Sequence, residues 1–490
     1  MKKLLSIYII LFIFTACGDL LDRNEDPKRA TQAPAATLFS NAQKNLVDIM
    51  TTPNVNSNIF RLLAQQWTET TYTDESRFDL STRNIPQNFW NALYRDVLGD
   101  LKEAKTAIEN ADPTFTDPVV NQNQWAITEV VEVYTYFVLV STFGNIPYSE
   151  AIDVENVFPR YEDAKTIHYD LIARLDQTLT QLDPAGESFG EADLIYGGDV
   201  EKWIKFNNTL KLKLGMMIAD VDPTTARTVV EQAAPNVINS NDDNAVFSYL
   251  DAPPNTNPIW VNLVQSGRKD FVAANTLVDV MNTLEDPRRD KYFTTITEFE
   301  DDGETPKGTV FIGGIYGSSN NYASFSKPAD AITAPSFEAL LMDYSETEFF
   351  LAEAAERGMN VGGTAQEHYN NAITASITYW GGSEDEAAEY LANPAVAYAT
   401  AEGDFRQKIG VQKWIALFNR GFEAWTEWRR LDYPALTMPE DPIADMPIRY
   451  TYPVNEQNLN TQNYNEAAAA IGGDLVTTPL FWDVTPSIIN

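Results

Sequence analysis

Two stretches of the chain set aromatic side chains among polar and turn-forming residues, and the chemistry they could do is stacking. The first, residues 70–88, follows Trp67 and carries Tyr72, Arg77 and Phe78, with Asp74 and Asp79 beside them. The second, residues 247–330, carries Trp260, Tyr292, Tyr316, Asn320, Tyr322 and Phe325. A flat ring covers the apolar C–H face of a pyranose, while nearby carboxylates and amides bond its hydroxyls. Rings in loops are the right material for this, because long ordered loops usually carry function. Trp260 is the first choice: it follows the turn-rich Asn255-Thr256-Asn257-Pro258, and an indole is the largest platform available. Its neighbours Ile259, Val261 and Leu263 suit a packed strand or helix start equally well.

Other chemistry finds less material. The two histidines, His168 and His368, lie in helical stretches and read as packing or surface residues. No H-E-x-x-H or paired cysteine pattern occurs, and neither a catalytic nucleophile nor a cofactor is expected. A glycosidase needs two carboxylates; with 70 acidic residues, candidates such as Glu69 and Asp74 arise from abundance alone. The run Glu298-Phe299-Glu300-Asp301-Asp302-Gly303 lacks the alternating ligands of a calcium loop and reads as a solvated turn, not a metal site. The chain is expected to bind without catalysing.

Charge narrows the partners. A formal net charge of −35 repels nucleic acid and anionic headgroups, and disfavours strongly anionic polysaccharides. Neutral glucan is the expectation on charge. An aromatic content of 12% marks a folded chain, not a disordered acidic one.

The elements that must position these rings begin after an address. Lys2 and Lys3 precede an apolar run from Leu4 to Ala16, whose helical rise of about 20 Å is short of a hydrocarbon core of about 30 Å. Residues 1–16 read as a signal peptide. Phe14-Thr15-Ala16-Cys17 resembles a bacterial lipobox, which makes Cys17 the acylated first residue of the mature protein. Cys17 is the only cysteine, so stability must come from burial without disulfides. Residues 17–37 read as a flexible tether, in which Asp19 and Asp22 resemble a surface-export signal. The globule is residues 38–490.

Within it, apolar residues recur three and four apart. This spacing predicts helices over Ala35–Ile49, Ile59–Trp67, Trp90–Ile108, Gln124–Thr142, Ala164–Leu182, Val200–Ala219 and Thr224–Asn236. The last third predicts Ser345–Gly358, Ala365–Trp380, Glu384–Leu391, Phe405–Asn419 and Gly421–Leu431, with Gly358 and Gly381 as C-terminal caps. A short strand is expected at Gly308–Ile312. Paired helices with short connections imply a mainly α fold, a tetratricopeptide-like helical repeat scaffold with a loop-rich ligand-binding subdomain, although no clean repeat period emerges.

An ordered series of motifs resembles the SusD/RagB family of nutrient-binding lipoproteins, in particular its second large subgroup. The series runs through Phe143-Gly144-Asn145-Ile146-Pro147-Tyr148-Ser149-Glu150-Ala151, Tyr196-Gly197-Gly198-Asp199 and Lys205-Phe206-Asn207-Asn208-Thr209-Leu210. It continues through Asp286-Pro287-Arg288, Tyr344-Ser345-Glu346, Ala352 to Gly358, Gly421-Phe422-Glu423-Ala424-Trp425 with Arg429-Arg430, Arg449 to Pro453, and Asn463-Tyr464. Read as residues alone, the Phe422, Trp425 and Arg429 set is one packed helix face. Arg429 or Arg430 could pair with Glu353 or Glu356 on a facing helix.

The resemblance implies an outer-membrane, lipid-anchored, surface-exposed protein. It would bind oligosaccharide and serve as lid for a SusC-like TonB-dependent transporter. A surface binder of peptide or another nutrient, or a structural or adhesive lipoprotein, are the alternatives on the same scaffold.

Overall fold

The computed structural model describes residues 33–300 and 305–485. The leader, Cys17, the acidic pair Asp19 and Asp22, and Asp301 to Gly303 lie outside the described residues. The first described helix begins at Ala35, inside the stretch read as tether.

Helices dominate and pack as sequential antiparallel neighbours. Ala35–Thr51 lies along the continuous Ala92–Glu109 segment, and Pro118–Phe143 along Ala164–Leu179. Val200–Met217 pairs with Pro223–Ala233, Tyr344–Glu356 with Ala365–Tyr379, and Phe405–Ala416 with Gly421–Leu431. The connections differ greatly in length, from the few residues at 417–420 to the whole of 234–343. That inequality is why a repeat scaffold carries no legible repeat period.

The acidic composition has a local use at helix starts. Asp117, Asp163, Asp199, Asp222, Asp343 and Asp404 each accept a first-turn backbone N–H, satisfying a donor the helix itself leaves open. Asp199 is the last residue of the Tyr-Gly-Gly-Asp motif, so that motif is a turn feeding a helix cap. Gly358 and Gly381 take left-handed conformations just past their helices, as their positions predict.

The core explains most of the motifs. Pro118–Phe143 is apolar and long enough to cross a membrane, yet 94% of its most apolar window is buried inside the protein; it is the central core helix. Gly421 lets its helix touch the chain at Phe60 and Arg61, where a Cβ would come within 2.4 Å of the Arg61 nitrogen. Phe60 then stacks on Tyr450 at 5.1 Å and meets Trp425 at 5.2 Å. The Phe422 and Trp425 face is packing, as the spacing implies.

Charged residues also run through the core, most of them in ion pairs. Lys213 and Arg420 hold the two oxygens of Glu346 at 2.9 and 2.6 Å, and Lys413 holds Glu427 at 2.8 Å. Arg430 reaches Glu353, as anticipated, whereas Arg429 does not pair with either glutamate. Its guanidinium lies 3.4 Å above the Trp425 ring and donates to the carbonyls of Ser141 and Ile448 at 2.9 Å. A buried charge without a partner costs several kcal/mol, so each of these links fixes which helices can face each other.

Sequence and structure differ most where backbone leaves the helices. The helix predicted over Ile59–Trp67 stops at Leu63, and Trp67 starts a short strand paired with Phe271–Ala273. The strand near 308 is present, as Pro306–Val310 against Ile296–Phe299. Residues 247–330 also contain helix Asn275–Thr283, which was not expected there.

Candidate functional site

The two irregular stretches are joined at Thr70. Its N–H donates to the Asp270 carbonyl at 2.8 Å and its hydroxyl to that of Lys269 at 2.6 Å. Its own carbonyl accepts the Asn320 N–H at 2.7 Å and the Ser319 hydroxyl at 2.9 Å. Residues far apart in sequence therefore form one loop face, with each backbone polar group partnered.

Beneath this face, several expected ligand rings are structural. Trp67 is 1% exposed, under the Arg61 guanidinium and against Phe271. Phe78 and Tyr316 are buried against each other, and the Tyr316 hydroxyl donates to the Leu62 carbonyl at 2.8 Å. Tyr292 is fully buried and stacks on Phe418 at 4.2 Å. The Asn320 amide is consumed by the carbonyls of Glu69, Ile315 and Ser318. These five positions are corrected: none presents a surface to ligand, because the loops pack their own aromatics inward to hold their shape.

Six expected residues remain accessible to some degree. Tyr72 is 66% exposed at the tip beyond Thr70. Trp260 is half-buried and opens a π-helical turn, Trp260–Gln265. Tyr322 is half-buried with the ammonium groups of Lys269 and Lys327 at 5.5 and 5.3 Å from its ring centre, which compete with any stacking ligand. Phe325 is half-buried nearby. Asp74 and Arg77 are half-buried, and Arg77 is engaged with the Asp441 carbonyl at 2.5 Å. Asp79 binds its own turn, accepting from Ser81 and Thr82, which holds its carboxyl below the usual range despite some burial.

Glu69 and Asp74 sit in different settings, one buried and one half-buried. Glu69 is 4% exposed and accepts the Ser76 N–H at 2.8 Å. Burial, then the charge of Glu75, pushes its pKa up to about 9. It is a neutral clasp for the loop. His168 is buried with Nε2 at 2.9 Å from the Leu214 carbonyl, and His368 bridges Glu348 and the Gly362 carbonyl. Both are structural.

Three larger clefts indent the surface. One, of about 480 Å³, is walled by Lys105, Glu132, Tyr148 and Arg174, whose charges are mutually satisfied. A second, of about 620 Å³, is lined mainly by aliphatic groups such as Val280, Leu284, Val411 and Pro434. The third, also about 620 Å³, has Phe337, Tyr379 and Trp380 on its wall with Asp290, Lys291, Asp330 and Glu338. Of these three, the third brings the most rings together with hydroxyl-bonding groups.

The aromatic cleft continues from the loop face. Asn257, three residues before Trp260, donates to the carbonyls of Pro335 and Phe337 at 2.7 Å. The segment from Tyr322 passes Lys327, bonded to Thr294, and Ala329, bonded to Tyr292, before reaching Phe337. Phe337 and Trp380 lie 6.0 Å apart with planes at 27°. Tyr379 donates its hydroxyl to Glu338 at 2.7 Å, and Trp380 rests on Tyr292 at 4.8 Å. The buried Tyr292 thus supports a candidate platform without being one.

Sequence reasoning missed Phe337, Tyr379 and Trp380. Trp380 was read as the end of a helix, where a ring is normally packed. The available signal was its place just before Gly381-Gly382, where the helix stops and one side of the ring is left uncovered.

A scaffold of helix pairs bearing a loop face and an aromatic, carboxylate-lined cleft defines a SusD-type protein. The chain belongs to the SusD-like_2 family, described as starch-binding and associating with the outer membrane, which matches residues 27–453. Among solved structures it is similar to a chitin-binding protein, at 26% identity and TM-score 0.80, covering 92% of this chain and 100% of that one. It is also similar to a chitin-binding SusD homologue from Flavobacterium johnsoniae, at 25% identity and TM-score 0.74, over 92% and 98% of the two chains. A SusD homologue from Bacteroides thetaiotaomicron shares the fold at 24% identity and TM-score 0.76, over 93% and 100%. No curated protein sequence matches the chain significantly.

Proposed function

We propose that this protein captures oligosaccharide at the outer membrane and passes it to a SusC-like TonB-dependent transporter, held on the cell surface by a lipid on Cys17. The observation that carries the ligand reading is the cleft in which the half-exposed rings of Phe337 and Trp380 stand beside Asp330 and Glu338. Rings supply area for the sugar's C–H face, and carboxylates accept from its hydroxyls. Family membership and two chitin-binding structural relatives support the same reading. The loop face around Tyr72 and Trp260 extends the surface that a long glycan would meet.

Titration of the purified protein against starch, cellulose, chitin and pectin oligosaccharides tests this. Binding to at least one, weakened about tenfold, roughly 1.4 kcal/mol, by Trp380→Ala, is the expected result. Absence of binding to every glycan, with tight binding of extended peptides instead, overturns it. Shortened products after incubation would show an enzyme.

A further inference from the structure

The charges lining the cleft are unevenly matched. Its single cation, Lys291, sits 3.0 Å from the carboxylate of Asp290 and is already paired. Glu338 spends one oxygen on the Tyr379 hydroxyl, and that donor carries no positive charge. Asp330 has no side-chain hydrogen bond or ion pair among the described residues. Two carboxylates without a counter-cation therefore share a wall with the Phe337 and Trp380 rings, on a chain whose net charge is already −35.

Resting on the glycan reading above, we infer that the cleft's preferred ligand is an amino-sugar unit, with its protonated nitrogen placed toward Asp330 and Glu338 while its ring lies on the aromatic wall. An ammonium adds to its hydrogen bond with each carboxylate an ionic attraction that a neutral hydroxyl lacks. A uronic acid or sulfate would set like charges together with only Lys291 to offset them, which disfavours it. The aromatic platform gives the sugar its position, and the carboxylates decide which sugar is retained. Neutral hydroxyl-rich sugars fall between these extremes.

The test uses the full mature chain and three β-1,4-linked hexamers: glucosamine, glucose and glucuronic acid. The glucosamine hexamer is expected to bind about tenfold tighter than the glucose hexamer, with the glucuronate weakest. Raising the pH until the amine is neutral should abolish the difference. Asp330→Asn with Glu338→Gln should collapse the ranking by weakening the glucosamine hexamer far more than the glucose hexamer. Glu103→Gln with Glu201→Gln, which removes the same charge outside the cleft, should preserve the ranking.

The inference is overturned if glucose hexamer binds as tightly as glucosamine hexamer. It is overturned equally if the ranking survives in the cleft double variant, which would make it general attraction to an acidic protein. Failure of the glucosamine hexamer alone removes this inference and leaves the glycan reading standing. Failure of every glycan in both panels removes both.

Discussion

Arg430 grips Glu353 with both ends of its guanidinium, Nη1 to Oε1 at 2.7 Å and Nη2 to Oε2 at 2.5 Å, and neither side chain is more than 2% exposed. The pair bolts helix Gly421–Leu431 to Tyr344–Glu356, and both residues belong to family motifs. Burial alone would raise the Glu353 pKa, but Arg430 and Arg357 bring it down to about 2. Glu353→Gln is expected to cost about 3–5 kcal/mol in denaturant unfolding, because it leaves buried guanidinium groups underpaired. Replacing Glu353 and Arg430 together by Leu should cost less than the sum of the single changes. Additive losses would mean the two side chains act independently.

His168 makes stability depend on pH. Burial lowers its pKa from 6.5 to about 4, against the opposing hydrogen bond to Leu214. A folded-state pKa below the unfolded one favours the native state above pH 6.5, and this contribution is lost as pH falls toward 4. Glu346 and Glu353, both brought to about 2, contribute above about 4.5 and lose that contribution as pH falls toward 2. The melting temperature should therefore decline in two stages on acidification. His168→Gln should remove the first stage only; an unchanged profile would assign it elsewhere.

Buried and accessible aromatics should separate in mutagenesis. Trp67→Ala is expected to destabilise by about 3–5 kcal/mol, since it empties a packed site. Tyr72→Ala should leave the melting temperature nearly unchanged and weaken binding of long glycans more than short ones. Trp260→Ala should weaken glycan binding about tenfold, roughly 1.4 kcal/mol, with little thermal effect. A large fall in melting temperature, with the folded fraction still binding normally, would place Trp260 among the packing residues.

Anchoring is tested by Cys17→Ala. Each buried acyl CH₂ contributes about 0.8 kcal/mol, and stable attachment needs more than one chain. The variant should leave the membrane fraction when the transporter is absent. Retention there would argue against lipidation.

The transporter pairing predicts co-purification. A lid needs a large face, well over about 1,200 Å² of buried surface for a lasting complex. Pull-down from native membranes in mild detergent should return a SusC-like barrel protein. Recovery of this chain alone would count against the pairing.

The sequence by itself determined the helices and the fold family. Apolar spacing is a local property, so Gly421–Leu431 was legible to the residue and Pro118–Phe143 to within two turns. Among the motifs, the pairing of Arg430 with Glu353 was anticipated from sequence, whereas the close approach at Gly421 and the cap at Asp199 emerged only with the structure. What only the tertiary structure decided was which aromatics face water. Tyr72 and Tyr316 look alike in sequence, both in polar, turn-rich stretches. One ends at a loop tip, while the other reaches under the loop to the Leu62 carbonyl. Trp380 shows the converse, a helix-end residue turned into a cleft wall by Phe337 and Glu338, which lie about forty residues earlier. Exposure depends on what other segments cover, and coverage is set by long-range packing that no local pattern records.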